Sequence, residues 1–150
     1  MSENYYDFAY NDYEFVKKTH ENNYVFNSMC SIAQKVCVRF LKHIIDQYYV
    51  PENEQEAAYV NDVMSTQSLR KLERFLVEKM DIQLAQDVHS ALNEVNGFYY
   101  ETSYPGDESF FVNAEDVEKA VAAMDKCKDF IDRYIEEHEH NHDGDDDIEH

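Results

Sequence analysis

The sequence predicts an all-α fold, an antiparallel up-and-down bundle of four to five helices. Only 3 glycines and 2 prolines occur among 150 residues, so long uninterrupted helices can form. Apolar residues recur at steps of three and four through most of the chain, which is the spacing that places side chains on one face of a helix. A chain of this length buries about 70% of its extended surface on folding, so a single domain is sufficient.

The first two helices are predicted in the N-terminal third. The first lies near residues 3–21, where an apolar face is interrupted by Asp12. The second is the most regular, because apolar residues continue in steps of three and four from Met29 to Tyr48 until Pro51 stops the pattern. Each helix is apolar on one side only and must therefore pack against others.

Weaker patterns follow in the middle of the chain. Residues 51–61 have little periodicity and predict a loop with a short helical turn. A third helix is predicted over residues 69–80 and a fourth over residues 82–99, where Gly97 weakens the end of the pattern. The connections are short enough for neighbouring helices to run antiparallel.

A last helix and a polar tail complete the chain. Asn113 is placed to cap this helix, with Asp116 at the position that reaches back, and apolar spacing continues to Tyr134. The helical domain is therefore predicted over residues 1–138. Residues 139–150 are acidic and rich in histidine, and they predict a disordered tail because they offer almost no apolar surface to bury.

Charge and cysteine content limit the function. The formal charge is −19, from 32 acidic and 13 basic side chains, and such a field disfavours direct DNA binding unless bases gather locally. The three cysteines, Cys30, Cys37 and Cys127, lack close ligand spacing and are predicted to be buried free thiols. With no leader pattern and no apolar run of about 18 residues, the sequence predicts a cytoplasmic location and no membrane association.

The order of these elements resembles the HEPN (higher eukaryotes and prokaryotes nucleotide-binding) family over roughly residues 4–137. The segment Ala33 to Lys35 resembles the family's Ala-Glu-Lys segment on the second helix, with glutamine in place of glutamate. Tyr104-Pro105 resembles its Arg-Tyr-Pro turn before the last helix, with Ser103 in place of arginine. The resemblance implies a helical bundle that forms homodimers and is encoded beside a minimal nucleotidyltransferase, as a toxin–antitoxin or related defence pair. It implies no cofactor.

Some members of that family are metal-independent ribonucleases that carry an arginine followed after four to six residues by a histidine. Arginine holds a phosphate with two hydrogen bonds, and histidine transfers protons near neutral pH. Only Arg133, with His138, has this spacing here, and the neighbouring Glu136 and Glu137 would repel a phosphodiester. The sequence therefore favours a non-catalytic binding component of a nucleotide- or RNA-related system. A divergent ribonuclease and a protein-binding structural adaptor are the alternatives.

Two groups of basic residues could dock a nucleotide, RNA or another acidic partner. The first is a stripe predicted on the polar side of the second helix, and the second is a cluster on the third. Solvated faces paired with acids are the competing interpretation. The stripe consists of Lys35, Arg39 and Lys42, and the cluster consists of Arg70, Lys71 and Arg74.

Aromatic and histidine residues supply further candidates. An aromatic group before the last helix could stack a base, or it could cover the bundle end or a subunit interface. Histidines in the tail have a metal-binding composition but no rigid frame, so no functional metal site is predicted. His43 and His89 are interpreted as structural. The aromatic group is Tyr99, Tyr100 and Tyr104, and the tail histidines are His138, His140 and His142.

Overall fold

A computed structural model describes the backbone of residues 4–98 and 111–149, with side chains up to Glu139. Within these ranges it contains helices and no strands, which confirms the all-α prediction. The helices are α1 (Tyr5–Glu21), α2 (Asn27–Tyr48), α3 (Glu54–Met64), α4 (Leu69–Met80), α5 (Gln86–Val95) and α6 (Ala114–Glu149).

Side-chain caps determine where several helices begin. Asn4 accepts a hydrogen bond from the Asp7 N–H at 3.0 Å, and Ser68 accepts one from the Lys71 N–H at 3.3 Å. The predicted cap of the last helix is confirmed. Asn113 Oδ1 accepts from the Asp116 N–H at 2.9 Å, and the Asn113 N–H donates to Asp116 Oδ2 at 3.0 Å. This reciprocal pair satisfies two backbone donors that a helix start would otherwise leave unpaired.

Helix α2 forms the centre of the bundle. It packs against α1, α4, α5 and α6, and 14 of its 22 residues are buried. Cys37 lies at the contact with α6, where its carbonyl oxygen accepts from Cys127 Sγ at 3.8 Å. All three cysteines are buried and free, as predicted. Because four helices pack around it, α2 contributes more buried residues than any other helix described.

Helix α3 corrects the prediction of a loop over residues 51–61. Asn53 caps it by accepting from the Glu56 N–H at 2.8 Å, and Glu54 adds an acid to the first turn, where the helix dipole favours negative charge. Only Val63 is buried, which explains why apolar periodicity did not reveal this helix.

The fourth predicted helix is shorter than expected. Asp81 ends α4 in the left-handed conformation, with φ of 54°, and α5 begins only at Gln86 instead of Ile82. At the other end α5 stops at Val95, and Gly97 has φ of 106°, a conformation that glycine adopts at little cost. The apolar spacing that predicts a helix over residues 82–99 therefore extends beyond α5 in both directions along the sequence.

The sequence predicts an apolar face of α1 that includes Tyr5, Phe8, Ala9, Phe15 and Val16, and the structure buries only part of it. Phe8 and Phe15 are about half exposed, whereas Tyr6 and Tyr13 turn toward α6. The Tyr6 hydroxyl donates to Asp132 Oδ1 at 2.7 Å, and the Tyr13 hydroxyl donates to Asp125 Oδ1 at 2.6 Å. Ala9 and Val16 are buried, and the two hydrogen bonds orient the tyrosines toward carboxylates of α6, which apolarity alone did not indicate.

Helix α6 continues to Glu149, through the segment whose composition predicts disorder. The side chains after Glu139 lie outside the described residues, so the disordered tail stays a prediction. In the described part of the chain, no helix combines the length and apolarity needed to cross a bilayer.

Deleting residues 140–150 is expected to leave the melting temperature unchanged, because this acidic segment has almost no apolar surface to bury. The deletion keeps Glu139, whose carboxylate accepts from the Tyr48 hydroxyl. Far-ultraviolet circular dichroism, expressed per molecule, should keep its full helical signal. A signal reduced by about three turns of helix would show that the tail is helical in solution and would contradict the predicted disorder.

Candidate functional site

The predicted basic stripe on α2 does not form a free cationic surface. Arg39 Nη1 forms an ion pair with Asp12 Oδ2 at 2.7 Å, and its guanidinium lies 5.9 Å from the centre of the Phe8 ring. Lys35 is only partly exposed. Both side chains of the Arg39–Asp12 pair are about one third exposed, so the pair neutralises the middle of the stripe at the α1–α2 boundary.

Lys42 corrects the prediction most clearly. Only 6% of its surface is exposed, so it lies inside the bundle and not on a polar face. Among the described residues it has no ion-pair or hydrogen-bond partner. Burial, and then the positive charge of Arg39, lower the pKa of the Lys42 ammonium below its ordinary value. Folding therefore disfavours the charged form of this side chain relative to its state in water.

The basic cluster on α4 is the candidate functional surface. Arg70, Lys71 and Arg74 are exposed, and among the described residues none belongs to an ion pair. Helix α4 carries four basic and two acidic residues, although the whole chain carries a net charge of −19. Its apolar residues occupy the opposite side, because Leu72 and Phe75 pack into the core. This helix is therefore locally cationic on an acidic protein.

Hydrogen bonds from neighbouring elements position the start of α4. The Leu69 N–H donates to Asn96 Oδ1 at 2.9 Å. Gln34, which is buried on α2, donates to the Gln67 carbonyl at 2.9 Å and accepts from the Gly97 N–H at 3.1 Å. This residue belongs to the segment that resembles the HEPN motif. Its structural role here is to hold the α3–α4 connection against α2 and the end of α5.

Two pockets flank the cluster, and Arg74 contributes to both. The α3–α4 pocket has a volume of about 350 Å³, and the α4–α5 pocket has a volume of about 380 Å³. The residues that line the α3–α4 pocket are Tyr59, Asp62, Val63, Ser65, Thr66, Lys71 and Arg74. Those that line the α4–α5 pocket are Arg70, Glu73, Arg74, Val77, Glu78, His89 and Asn93.

The α4–α5 pocket has an internally paired polar group. His89 Nδ1 lies 2.6 Å from Glu73 Oε2, and its Nε2 lies 3.1 Å from Asn93 Nδ2. The histidine thus links α4 to α5, which agrees with its interpretation as structural. Glu73 and Glu78 also place two carboxylates beside the bases of this pocket. An anion is therefore favoured less here than in the α3–α4 pocket.

His43 has the same structural character on α2. It is buried against Tyr6, with the ring centres 5.6 Å apart, and its Nδ1 has no hydrogen-bond partner among the described residues. Burial lowers the pKa of the imidazole, although nearby carboxylates such as Asp46 and Asp7 oppose this shift. A neutral imidazole is therefore favoured in the folded state.

The structure does not bring Arg133 and His138 together. Arg133 lines a small pocket of about 130 Å³ against the start of α5. His138 turns toward α2, where its ring lies 5.4 Å from that of Tyr48, and its Nδ1–H donates to the backbone oxygen of Tyr134 at 2.8 Å. Within one chain they lie on different sides of α6 and contact different helices.

Some predicted candidates lie outside the described residues. Tyr99, Tyr100 and Tyr104 belong to this group, as do the side chains of His140 and His142. In the part of the chain whose side chains are described, no group of three or more potential ligands is arranged to hold a metal ion. The aromatic-turn and tail-histidine hypotheses therefore stay predictions.

Sequence reasoning missed the wall of the pocket that α3 supplies. Tyr59 lies in the segment where the sequence predicts a loop, and no sequence pattern marks Ser65 or Thr66 as part of a site. The sequence nevertheless contains a typical helix-start pattern at this point, because Asn53 is followed three residues later by Glu56.

Comparison with protein-family models, with curated proteins and with solved structures found no match to this chain. No family is therefore shown, and the resemblance to HEPN domains stays a prediction from the sequence.

Proposed function

We propose that this chain is a non-catalytic, HEPN-like binding component of a nucleotide- or RNA-related system of the toxin–antitoxin or defence type. In this proposal an anionic partner docks on the α4 cluster of Arg70, Lys71 and Arg74. The observation that carries it is the exposure of these three cations, none of which has an ion-pair partner among the described residues, in a chain of net charge −19.

The negative electrostatic field of the rest of the protein directs anionic ligands to this cluster. The acidic remainder of the surface repels phosphate groups, so an anionic polymer can approach favourably only where bases are gathered. Cations that are not engaged by carboxylates keep their full attraction for a phosphate. The two arginines can each offer a phosphate two parallel hydrogen bonds, and the lysine adds a third positive charge. These properties support a nucleotide or RNA phosphate as the anionic partner, and single-stranded RNA is the probe used below.

The proposal also includes a homodimer and a nucleotidyltransferase partner, which the family resemblance implies. Exposed aromatic residues on α1, Phe8 and Phe15, offer apolar area of the kind that subunit interfaces cover. Light scattering on the purified chain, alone and mixed with a nucleotidyltransferase encoded beside it, would measure both associations.

Reversing the charge of Arg70, Lys71 and Arg74 to glutamate is expected to weaken RNA binding by roughly 100-fold or more at low salt. Fluorescence anisotropy with a short labelled single-stranded RNA would measure the affinity. For the unchanged protein, the logarithm of the affinity should fall with the logarithm of salt concentration by about 0.7 for each phosphate contacted. The melting temperature should change little, because all three side chains are exposed.

The matched control reverses three exposed lysines elsewhere, Lys18, Lys119 and Lys126, and has the same formal charge as the α4 variant. It should keep most of the RNA affinity. Equal loss in both variants would show that net charge controls binding and would refute a specific α4 surface. The RNA should also remain uncleaved. Cleavage that disappears in Arg133→Ala/His138→Ala would replace this proposal with the ribonuclease alternative.

A further inference from the structure

The α3–α4 pocket combines aromatic, hydroxyl and charged groups in a small volume. The polypeptide reverses direction between the two helices, so Ser65 and Thr66 lie at the end near the connection and Tyr59 lies farther along α3. A ring contact between Tyr59 and Phe75, with centres 5.9 Å apart, holds α3 alongside α4. The pocket is therefore a groove with chemically different ends.

The end near the connection fits a phosphate group. Lys71 lines it and, among the described residues, has no ion-pair partner. Thr66 Oγ1 accepts from the Ser68 N–H at 3.1 Å, so its own hydroxyl hydrogen remains available to donate. This end also lies at the N-terminus of α4, a helix of 12 residues whose dipole favours an anion.

The other end fits an aromatic base. Tyr59 is 42% exposed although its ring contacts Phe75 and lies 5.6 Å from Lys79 Nζ. These contacts from α4 restrain the ring before any ligand arrives, and an exposed tyrosine face is a surface on which bases stack. Arg74 lines the same pocket and can stack or donate beside it.

The opposite charges in the pocket are not paired with one another. Asp62 lines the pocket together with Lys71 and Arg74, but no ion pair joins it to either base. A carboxylate can accept hydrogen bonds from sugar hydroxyls or from an exocyclic amine, while the two bases hold the phosphate. Asp62 thus favours a ligand that carries donors as well as an anion.

We propose that the α3–α4 pocket binds a mononucleotide, with its phosphate at Lys71 and Thr66 and its base on Tyr59. The volume of about 350 Å³ lies at the small end of the range for ligand pockets, roughly 300–1,000 Å³, and suits one nucleotide better than two. This inference rests on the proposed anion-binding function of α4 and names one nucleotide-sized site on that surface.

Calorimetric titration of the full chain with adenosine monophosphate tests the proposal. The nucleotide should bind saturably at one site per chain, and adenosine and inorganic phosphate should each bind roughly tenfold or more weakly. Lys71→Met should weaken nucleotide binding roughly tenfold without affecting packing, because the side chain is exposed. Lys126→Met is the control, since Lys126 is exposed on α6 and lies outside the α4 cluster and both of its pockets.

Tyr59→Leu tests the contribution of the base-binding end separately from that of the phosphate-binding end. It should weaken binding of adenosine monophosphate roughly tenfold while inorganic phosphate binding stays unchanged. Absence of saturable nucleotide binding, equal affinity for adenosine and the nucleotide, or equal loss in Lys126→Met and Lys71→Met would each overturn the proposal. If RNA binding still requires the α4 cluster in that case, only the pocket assignment falls. If the nucleotide binds and RNA does not, the RNA-docking proposal falls instead.

Discussion

Replacing Phe40 by alanine is expected to lower the free energy of unfolding by about 3–5 kcal/mol. Phe40 is fully buried on α2, and its ring lies 5.4 Å from that of Tyr6 on α1. Removing the ring loses the transfer free energy of its carbons and leaves a cavity that the surrounding helices cannot close completely. Urea denaturation followed by circular dichroism would measure the change.

Phe111→Ala is the matched control, because the same side chain is 90% exposed there. It should change stability by no more than about 0.5 kcal/mol. If Phe40→Ala cost as little as the control, α2 would not be the centre of the core. The whole arrangement of helices described above would then be wrong.

Replacing Lys42 by methionine is expected to raise the free energy of unfolding by about 1–3 kcal/mol near neutral pH. The lysine is 6% exposed and has no ion-pair partner among the described residues, whereas methionine fills a similar volume without a charge to desolvate. Lys126→Met is the control, because Lys126 is exposed and its replacement should leave stability nearly unchanged.

The stabilisation should depend on pH in a definite direction. The pKa of Lys42 is lowered in the folded state, so the unfolded chain holds this proton more tightly. The wild-type protein therefore gains stability as pH rises through the folded pKa toward the ordinary lysine value of about 10.4. The advantage of Lys42→Met should shrink over that interval. A constant advantage, or a variant less stable than wild type at neutral pH, would show that Lys42 has a partner in solution.

Lys42 also shows why sequence could not identify the free cations. With Lys35 and Arg39 it has helical spacing, and a lysine is ordinarily exposed, so a polar stripe was the natural prediction. The spacing places the three residues on one side of α2 but does not reveal which neighbours cover that side. In the fold, Asp12 of α1 pairs with Arg39, and the surrounding bundle encloses Lys42.

The exposure of the α4 cluster, by contrast, follows from the apolar periodicity of α4 itself. Leu69, Leu72, Phe75 and Leu76 define a strong apolar face, and Arg70 and Arg74 lie on the exposed side of the same helix. What the sequence could not supply was the second wall of the pocket. Tyr59 and Thr66 reach α4 only because α3 folds back along it, and that helix has a single buried residue to signal its presence.

The sequence by itself determined the all-α class, the course of α2, α4 and the cap of α6, and the burial of three free cysteines. These properties follow from local periodicity, capping and composition, which need no knowledge of neighbouring helices. Only the tertiary structure decided that α1 turns Tyr6 and Tyr13 toward α6, that Lys42 is enclosed, and that α3 and α4 form a pocket. Each of these depends on contacts between residues far apart in the chain, and a single sequence carries no local signal for such contacts.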